Sequence, residues 1–187
     1  ENYSFHFLDM VTAFQYGSLA PNLASMFEGT DMRLHAFYEL GWTGGYSLKY
    51  SNSLPYSNLA CSVSEMVTTL AECEVRLGNG AAAIELMNDL REKRIRNNVL
   101  FTVGDFGNND EILEFVLNER RKEVFNQGIR LADIKRLNLD PRFQKTLKHV
   151  VTYGNNSTEY TAEPESNKLV LPIPASIMKF HTDWPQN

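Results

Sequence analysis

The chain has 187 residues, 43% of them hydrophobic and 22% charged, with a formal net charge of −5 at pH 7. It is long enough to bury a sizeable core, and its acidic balance excludes a nucleic-acid binder that neutralises phosphates and disfavours electrostatic docking on anionic lipid. No apolar run approaches the length that crosses a bilayer.

The start, ENYSFHFLDM, has neither the basic nor the apolar region of a secretory leader, and it lacks an initial Met. It therefore reads as a processed product or an excised piece. Residues 1–60 are rich in aromatics. Apolar positions alternate from Leu34 to Leu40 and again at Tyr46, Leu48 and Tyr50, on either side of the Gly-rich Gly41-Trp42-Thr43-Gly44-Gly45. Alternation around a glycine turn predicts a hairpin or two short strands. Residues 51–59, with Pro55 and several Ser and Asn, read as a loop.

Ser62 and Glu65 have the spacing of a capping box. Behind them run two ladders, Val63, Val67, Leu70, Glu74, Leu77 and Met66, Leu70, Cys73, Leu77, which predict the apolar face of a helix. Cys61 and Cys73 read as two buried thiols. Gly78-Asn79-Gly80 closes this helix, and a second follows with Ala83, Met87 and Leu90 on one face and the basic end Arg91, Lys93, Arg94, Arg96. Together they form an αα-hairpin of the size found in tetratricopeptide-type repeats, which must bury its open side on something else.

After a connector at 97–107, Asn109 with Asp110 and Glu111 opens a third helix. It leads into Asn118–Arg136, where charge and apolar periodicity meet. Glu119 lies one turn from Lys122, Arg120 one turn from Glu123, and Asp133 one turn from Arg130 and Arg136. With Gly128 as a break, these residues predict two helices carrying a structural ion-pair network. Beyond them, 146–153, 158–162 and 168–171 read as short strands, and Pro174 precedes a short helix over 175–180.

Glu119 and Glu123 also form a carboxylate pair one turn apart. Cations at helical reach depress both pKa values instead of splitting them, so the structural reading is preferred to acid–base catalysis. His6, His35, His149 and His181 have no ligand-like spacing, and no phosphate loop or nucleophile elbow is present. No cofactor, metal or catalytic residue is assigned. The aromatic group of Trp42, Tyr38 and Tyr46 is the feature suited to ligand contact, since aromatic faces stack on flat apolar faces such as those of sugar rings.

Several pieces occur in one order: Asp31-x-Arg33, Gly45-Tyr46-x-Leu48-Lys49-Tyr50, Ser62-Val-Ser-Glu-Met66, Ala71-Glu-Cys-Glu-Val-Arg-Leu-Gly78, Asn88-Asp-Leu-Arg-Glu-Lys-Arg94, the stretch 118–136, and Leu171-Pro-Ile-Pro174. From about residue 25 to the end, the chain resembles the C-terminal part of SusD/RagB proteins. The resemblance implies a non-catalytic lipoprotein of the Bacteroidetes outer membrane that captures a glycan or other small nutrient at the cell surface. It implies a SusC-like TonB-dependent transporter as partner, no nucleic acid, and membrane attachment only through a lipid anchor absent from this chain. The expected fold is mainly α, a tetratricopeptide-like αα-hairpin plus further helices, with short β-hairpins and long loops. Residues 1–187 are expected as a single domain or the C-terminal part of a larger chain, with an aromatic region at 1–60, a helical core at 61–140, and strands, loops and a terminal helix at 141–187. A helical-repeat scaffold binding a protein or peptide is the alternative reading.

Overall fold

A computed structural model describes residues 19–40, 46–48, 61–124, 129–153, 156–170 and 172–185. The chain forms two compact units, 1–128 and 129–187. The architecture is mainly α, as expected, with two separate two-stranded antiparallel sheets among the described residues.

The first unit contains α1 (Pro21–Ala24), α2 (Met32–Phe37), β1 (Tyr38–Leu40), β2 (Tyr46–Leu48), α3 (Val63–Arg76), α4 (Gly80–Glu92), a 3-10 turn (Val103–Asp105) and α5 (Asn109–Glu123). Helices α3, α4 and α5 pack against one another. Ser62 Oγ caps α3 by accepting from the Glu65 amide at 3.1 Å. Gly78, at φ +89°, makes the left-handed turn between α3 and α4. Gly80 then lets α4 start close to α5: a Cβ built there would lie 2.8 Å from Ile112 Cδ1.

The face of α3 differs from expectation. Val63, Met66, Leu70 and Leu77 are exposed at 70, 53, 49 and 75%, and the buried face is Thr68, Ala71, Glu72 and Val75. Small side chains at 71 and 75 admit close approach of α4 and α5. Arg120 reaches the same helix, donating from Nη1 to Thr69 Oγ1 at 2.9 Å. The buried side of α4 does follow its predicted face, with Ala83 and Met87 inaccessible and Leu90 at 7%. Ile112, Leu113 and Val116 complete this core from α5. Both cysteines are free and exposed, not buried. Cys61 precedes the α3 cap, and Cys73 sits on the outward side of α3 with Leu70 and Leu77.

The α5 cap is Asn108, one residue earlier than expected, accepting from the Glu111 amide at 3.0 Å. Asn109 instead donates from Nδ2 to the Val75 carbonyl at 2.9 Å, tying α5 to α3. The predicted hairpin is present but shorter. Tyr38 pairs opposite Leu48 and Leu40 opposite Tyr46, while the preceding Leu34–Phe37 is helical. Asp31 caps that helix by accepting from the Arg33 amide at 3.0 Å, and burial of Arg33 and Leu34 on one side overrides the apparent alternation.

The second unit contains α6 (Arg130–Leu137), β3 (Leu147–Tyr153), β4 (Asn156–Ala162), a 3-10 turn (Asn167–Leu169) and α7 (Ala175–Met178). Strands β3 and β4 pair from Leu147 opposite Ala162 to Tyr153 opposite Asn156. Of the strand expected at 168–171, residues 168 and 169 lie in the 3-10 turn, whose cap Ser166 Oγ accepts from the Lys168 amide at 3.2 Å and which buries Leu169, and residue 171 lies outside the described residues. Trp42, the loop at 51–59 and Gly128 lie outside the described residues.

Candidate functional site

The last two turns of α5 bring the acids of the charged stretch to one side, where bases from α2, α4 and the turn after α4 meet them. Glu119 is 1% exposed. Its Oε2 accepts from Arg33 Nη2 at 3.0 Å, and its Oε1 accepts from Lys122 Nζ at 2.5 Å and from Arg91 Nη1. Arg33 also donates from Nε and Nη2 to Asp31 at 2.9 and 2.7 Å, and from Nη1 to Glu123 Oε2 at 3.1 Å. Arg94 Nη2 donates to Glu123 Oε1 at 2.7 Å, and Arg91 Nη2 reaches Glu28.

Four carboxylates (Glu28, Asp31, Glu119, Glu123) thus face four cations (Arg33, Arg91, Arg94, Lys122), and the cluster is balanced in charge. Burial opposes ionisation of Glu119, yet the fields of Lys122, Arg33 and Arg91 outweigh it and hold the carboxyl below its ordinary range. Burial likewise works against the charge of Arg33, while the bonds to Asp31 and the field of Glu119 push its pKa up. For Lys122 burial wins, and its pKa is lowered despite Glu119. With its pKa held down, Glu119 is ionised at neutral pH, has no proton to give there, and its oxygens are engaged by three cations. The arrangement is a tie, not an acid–base pair.

What it ties is the root of the aromatic hairpin. The Met32 amide donates to the Arg94 carbonyl at 2.8 Å, the Arg96 amide donates to the Thr30 carbonyl at 3.0 Å, and Asp31 bridges Ile95. Backbone bonds therefore stitch residues 30–32 to residues 94–96 just after α4, and the Arg33 guanidinium fastens the same segment to α5. α2 continues without a break into β1. There Tyr38, 3% exposed, packs edge-on to Phe27 at 6.3 Å beside Leu23 and Leu34. Burial pushes its phenol pKa up and keeps it neutral. On the other side, Arg91 Cζ lies 5.0 Å from the Phe101 ring and 5.6 Å from Phe115, which cluster with Phe106.

Of the three aromatics singled out for ligand contact, Tyr38 is an interior residue, β2 gives the backbone of Tyr46 alone, and Trp42 lies outside the described residues. Of the six charged residues, Glu119 and Glu123 are joined through Arg33. Arg120 turns to α3, with Nη2 3.8 Å from Glu65 Oε1. Arg130, Asp133 and Arg136 belong to the second unit, where Arg136 Nε donates to Asp133 Oδ1 at 2.9 Å. Asp31, Arg33, Arg91 and Arg94 were not assigned to the network from sequence. Arg91 and Arg94 lie one turn apart and meet Glu119 and Glu123, also one turn apart, but spacing within either segment does not name the partner, and Asp31 and Arg33 carry no such spacing. Among the described residues no group of three or more His, Cys, Asp or Glu is placed to hold a metal, and no helix is long and apolar enough to cross a membrane.

The SusD family model matches residues 62–187. The chain belongs to the SusD family. A SusD-like protein of Formosa agariphila is 34% identical over 79 residues, which are 40% of this SusD-family chain and 16% of that protein. The fold is similar to the crystal structure of a SusD-like carbohydrate binding protein from Bacteroides vulgatus, with a TM-score of 0.56 at 17% identity over 89% of this chain and 40% of that one. The SusD-family chain therefore spans well under half the length of either relative.

Proposed function

We propose that the chain serves in non-catalytic capture of a glycan, or another small nutrient, at the cell surface. In this reading it is the C-terminal portion of a longer lipid-anchored outer-membrane protein that hands its ligand to a SusC-like TonB-dependent transporter. The observation that carries the reading is the SusD family match over residues 62–187. A fold shared with a protein described as carbohydrate binding supports it. The fully compensated state of Glu119 supports a binding role over a hydrolytic one.

Isothermal titration of the chain against neutral malto-, cello- and xylo-oligosaccharides tests the reading. Saturable heat that Trp42→Ala abolishes is the expected result. One observation favours a second reading, a helical scaffold that binds a protein or peptide: the apolar stripe Val63, Met66, Leu70 and Leu77 along exposed α3. Binding of a peptide or a barrel partner with no heat from any sugar supports that scaffold and removes the glycan reading for this chain.

A further inference from the structure

In the second unit β3 and β4 form a sheet of their own, and among the described residues no third strand joins it. Both faces meet solvent: Val150 and Val151, which alternation sends to opposite sides, are 53 and 45% exposed, and Tyr160, on the Val151 side, is 59% exposed. A hairpin standing alone is marginally stable in water, and further strands on an edge supply what it lacks. The two edges are not equivalent. Tyr153 is opposite Asn156 with two residues between them, so this closing pair exchanges both of its hydrogen bonds, and every second pair back along the ladder does the same: Val151 with Thr158, His149 with Tyr160, Leu147 with Ala162. The N–H and C=O groups of Lys148, Val150 and Thr152 therefore point outward from β3, and those of Ser157, Glu159 and Thr161 point outward from β4.

The β4 edge is guarded. Lys168 Nζ donates to the outward Thr161 carbonyl at 3.0 Å, and a two-fold pairing of β4 with its copy about Glu159 would set two carboxylates directly opposite each other. The β3 edge is open, since among the described residues nothing outside the hairpin bonds to the outward backbone groups of Lys148 or Val150. A lysine usually blocks such an edge, but Lys148 is drawn across to Glu159 Oε1 at 3.0 Å. Turned about a two-fold axis at Val150, β3 matches itself: Val150 meets its own copy, Lys148 meets Thr152 at each end, and no like charges stand opposite each other. We propose that the outer edge of β3 pairs antiparallel with β3 of a second copy of this chain, joining two hairpins into one four-stranded sheet. Val151 and Tyr160 of both copies then share one face, giving the sheet an apolar side that a single hairpin is too narrow to build. Edge pairing buries less than a standard interface, so the dimer is weak and reversible.

Sedimentation equilibrium over a rising concentration of the chain is expected to show this association. Val150→Pro removes the outward N–H at the axis and none of the bonds between β3 and β4, because proline is tolerated where the N–H faces away from the sheet. It weakens the association by about tenfold or more, whereas Glu159→Pro, the same change on the other edge, leaves it as it was. In a Cys61→Ser, Cys73→Ser background, Val150→Cys cross-links to its copy on oxidation, since a bonded pair at the axis sets the Cα atoms about 5.5 Å apart, and Glu159→Cys does not. A chain that stays monomeric at about 1 mM overturns the pairing; if it then takes up a Thr-Val-Thr-Val-Thr-Val peptide, the edge serves a foreign strand. A dimer that Val150→Pro leaves intact and Val150→Cys does not cross-link has its interface elsewhere and overturns the pairing equally. Equal weakening by both proline variants also overturns it. None of these outcomes bears on glycan capture.

Discussion

Arg33 and Glu119 lie 86 positions apart in the chain and 3.0 Å apart in space, each with a side chain 2% exposed. An isolated pair stripped of water to this degree would not recover its desolvation cost. Asp31, Lys122, Arg91 and Glu123 complete the shell around it, and this makes the pair tenable as the junction of α2 with α5.

Removing the Glu119 charge leaves three buried cations short of one partner. Glu119→Gln is expected to cost about 3 kcal/mol, read as a lower urea midpoint at unchanged slope. Asp133→Asn, whose partner Arg136 is 40% exposed, is expected to cost less than Glu119→Gln, because the partner left behind remains open to water. A parent-like midpoint for Glu119→Gln would reduce the network to decoration.

The depressed Glu119 pKa carries a sign. A carboxyl whose folded pKa lies below its unfolded value of about 4.3 contributes stability that is fully present above that pH. The contribution is lost as pH falls through the folded pKa. Urea unfolding between neutral and strongly acidic pH should show stability falling on the acid side of about pH 4.3, with a shallower fall in Glu119→Gln.

The two sides of the helical core make opposite predictions. Leu113→Ala, at a position 1% exposed, should cost about 3 kcal/mol. Met66→Ser and Leu77→Ser, at positions 53 and 75% exposed, should change stability by less than about 0.5 kcal/mol. Comparable losses at all three positions would return the core to the apolar side of α3.

Local signals made α3, α4 and α5 legible in the sequence, whereas α1 and α2 were not read as helices. Ser62, Gly78 and Gly80 mark ends that depend on neighbouring backbone, and Ala83, Met87 and Leu90 mark a face that the core uses. The buried side of α3 was illegible because it is lined by Ala71, Val75, Thr68 and Glu72, whose burial depends on partners arriving from α4 and α5. Hydropathy favoured Leu70 and Leu77, which the fold leaves outside. The charged stretch was legible only in its short-range pairs. Glu119 with Lys122 follows from helical spacing, whereas Arg33 and Arg91 reach Glu119 through tertiary packing that no spacing along one helix encodes. Asp31-x-Arg33 showed in the sequence as a motif, but its role as a cap and an anchor requires α5 beside it.

The tie also predicts where motion is released. In hydrogen exchange, the Met32 and Arg96 amides, bonded to the Arg94 and Thr30 carbonyls, should lose protection in Glu119→Gln relative to core amides such as that of Val116. Uniform loss across all of them would indicate global destabilisation and no local release.

A double-mutant cycle on Arg33 and Glu119, with Arg33→Met, Glu119→Leu and the pair measured by urea unfolding, tests the anchor most directly. Each single change should cost about 3 kcal/mol or more, and the double change should cost less than their sum by about 1 kcal/mol or more, because each single change strands the other charge. Additive costs would contradict a tie between α2 and α5 at these two residues.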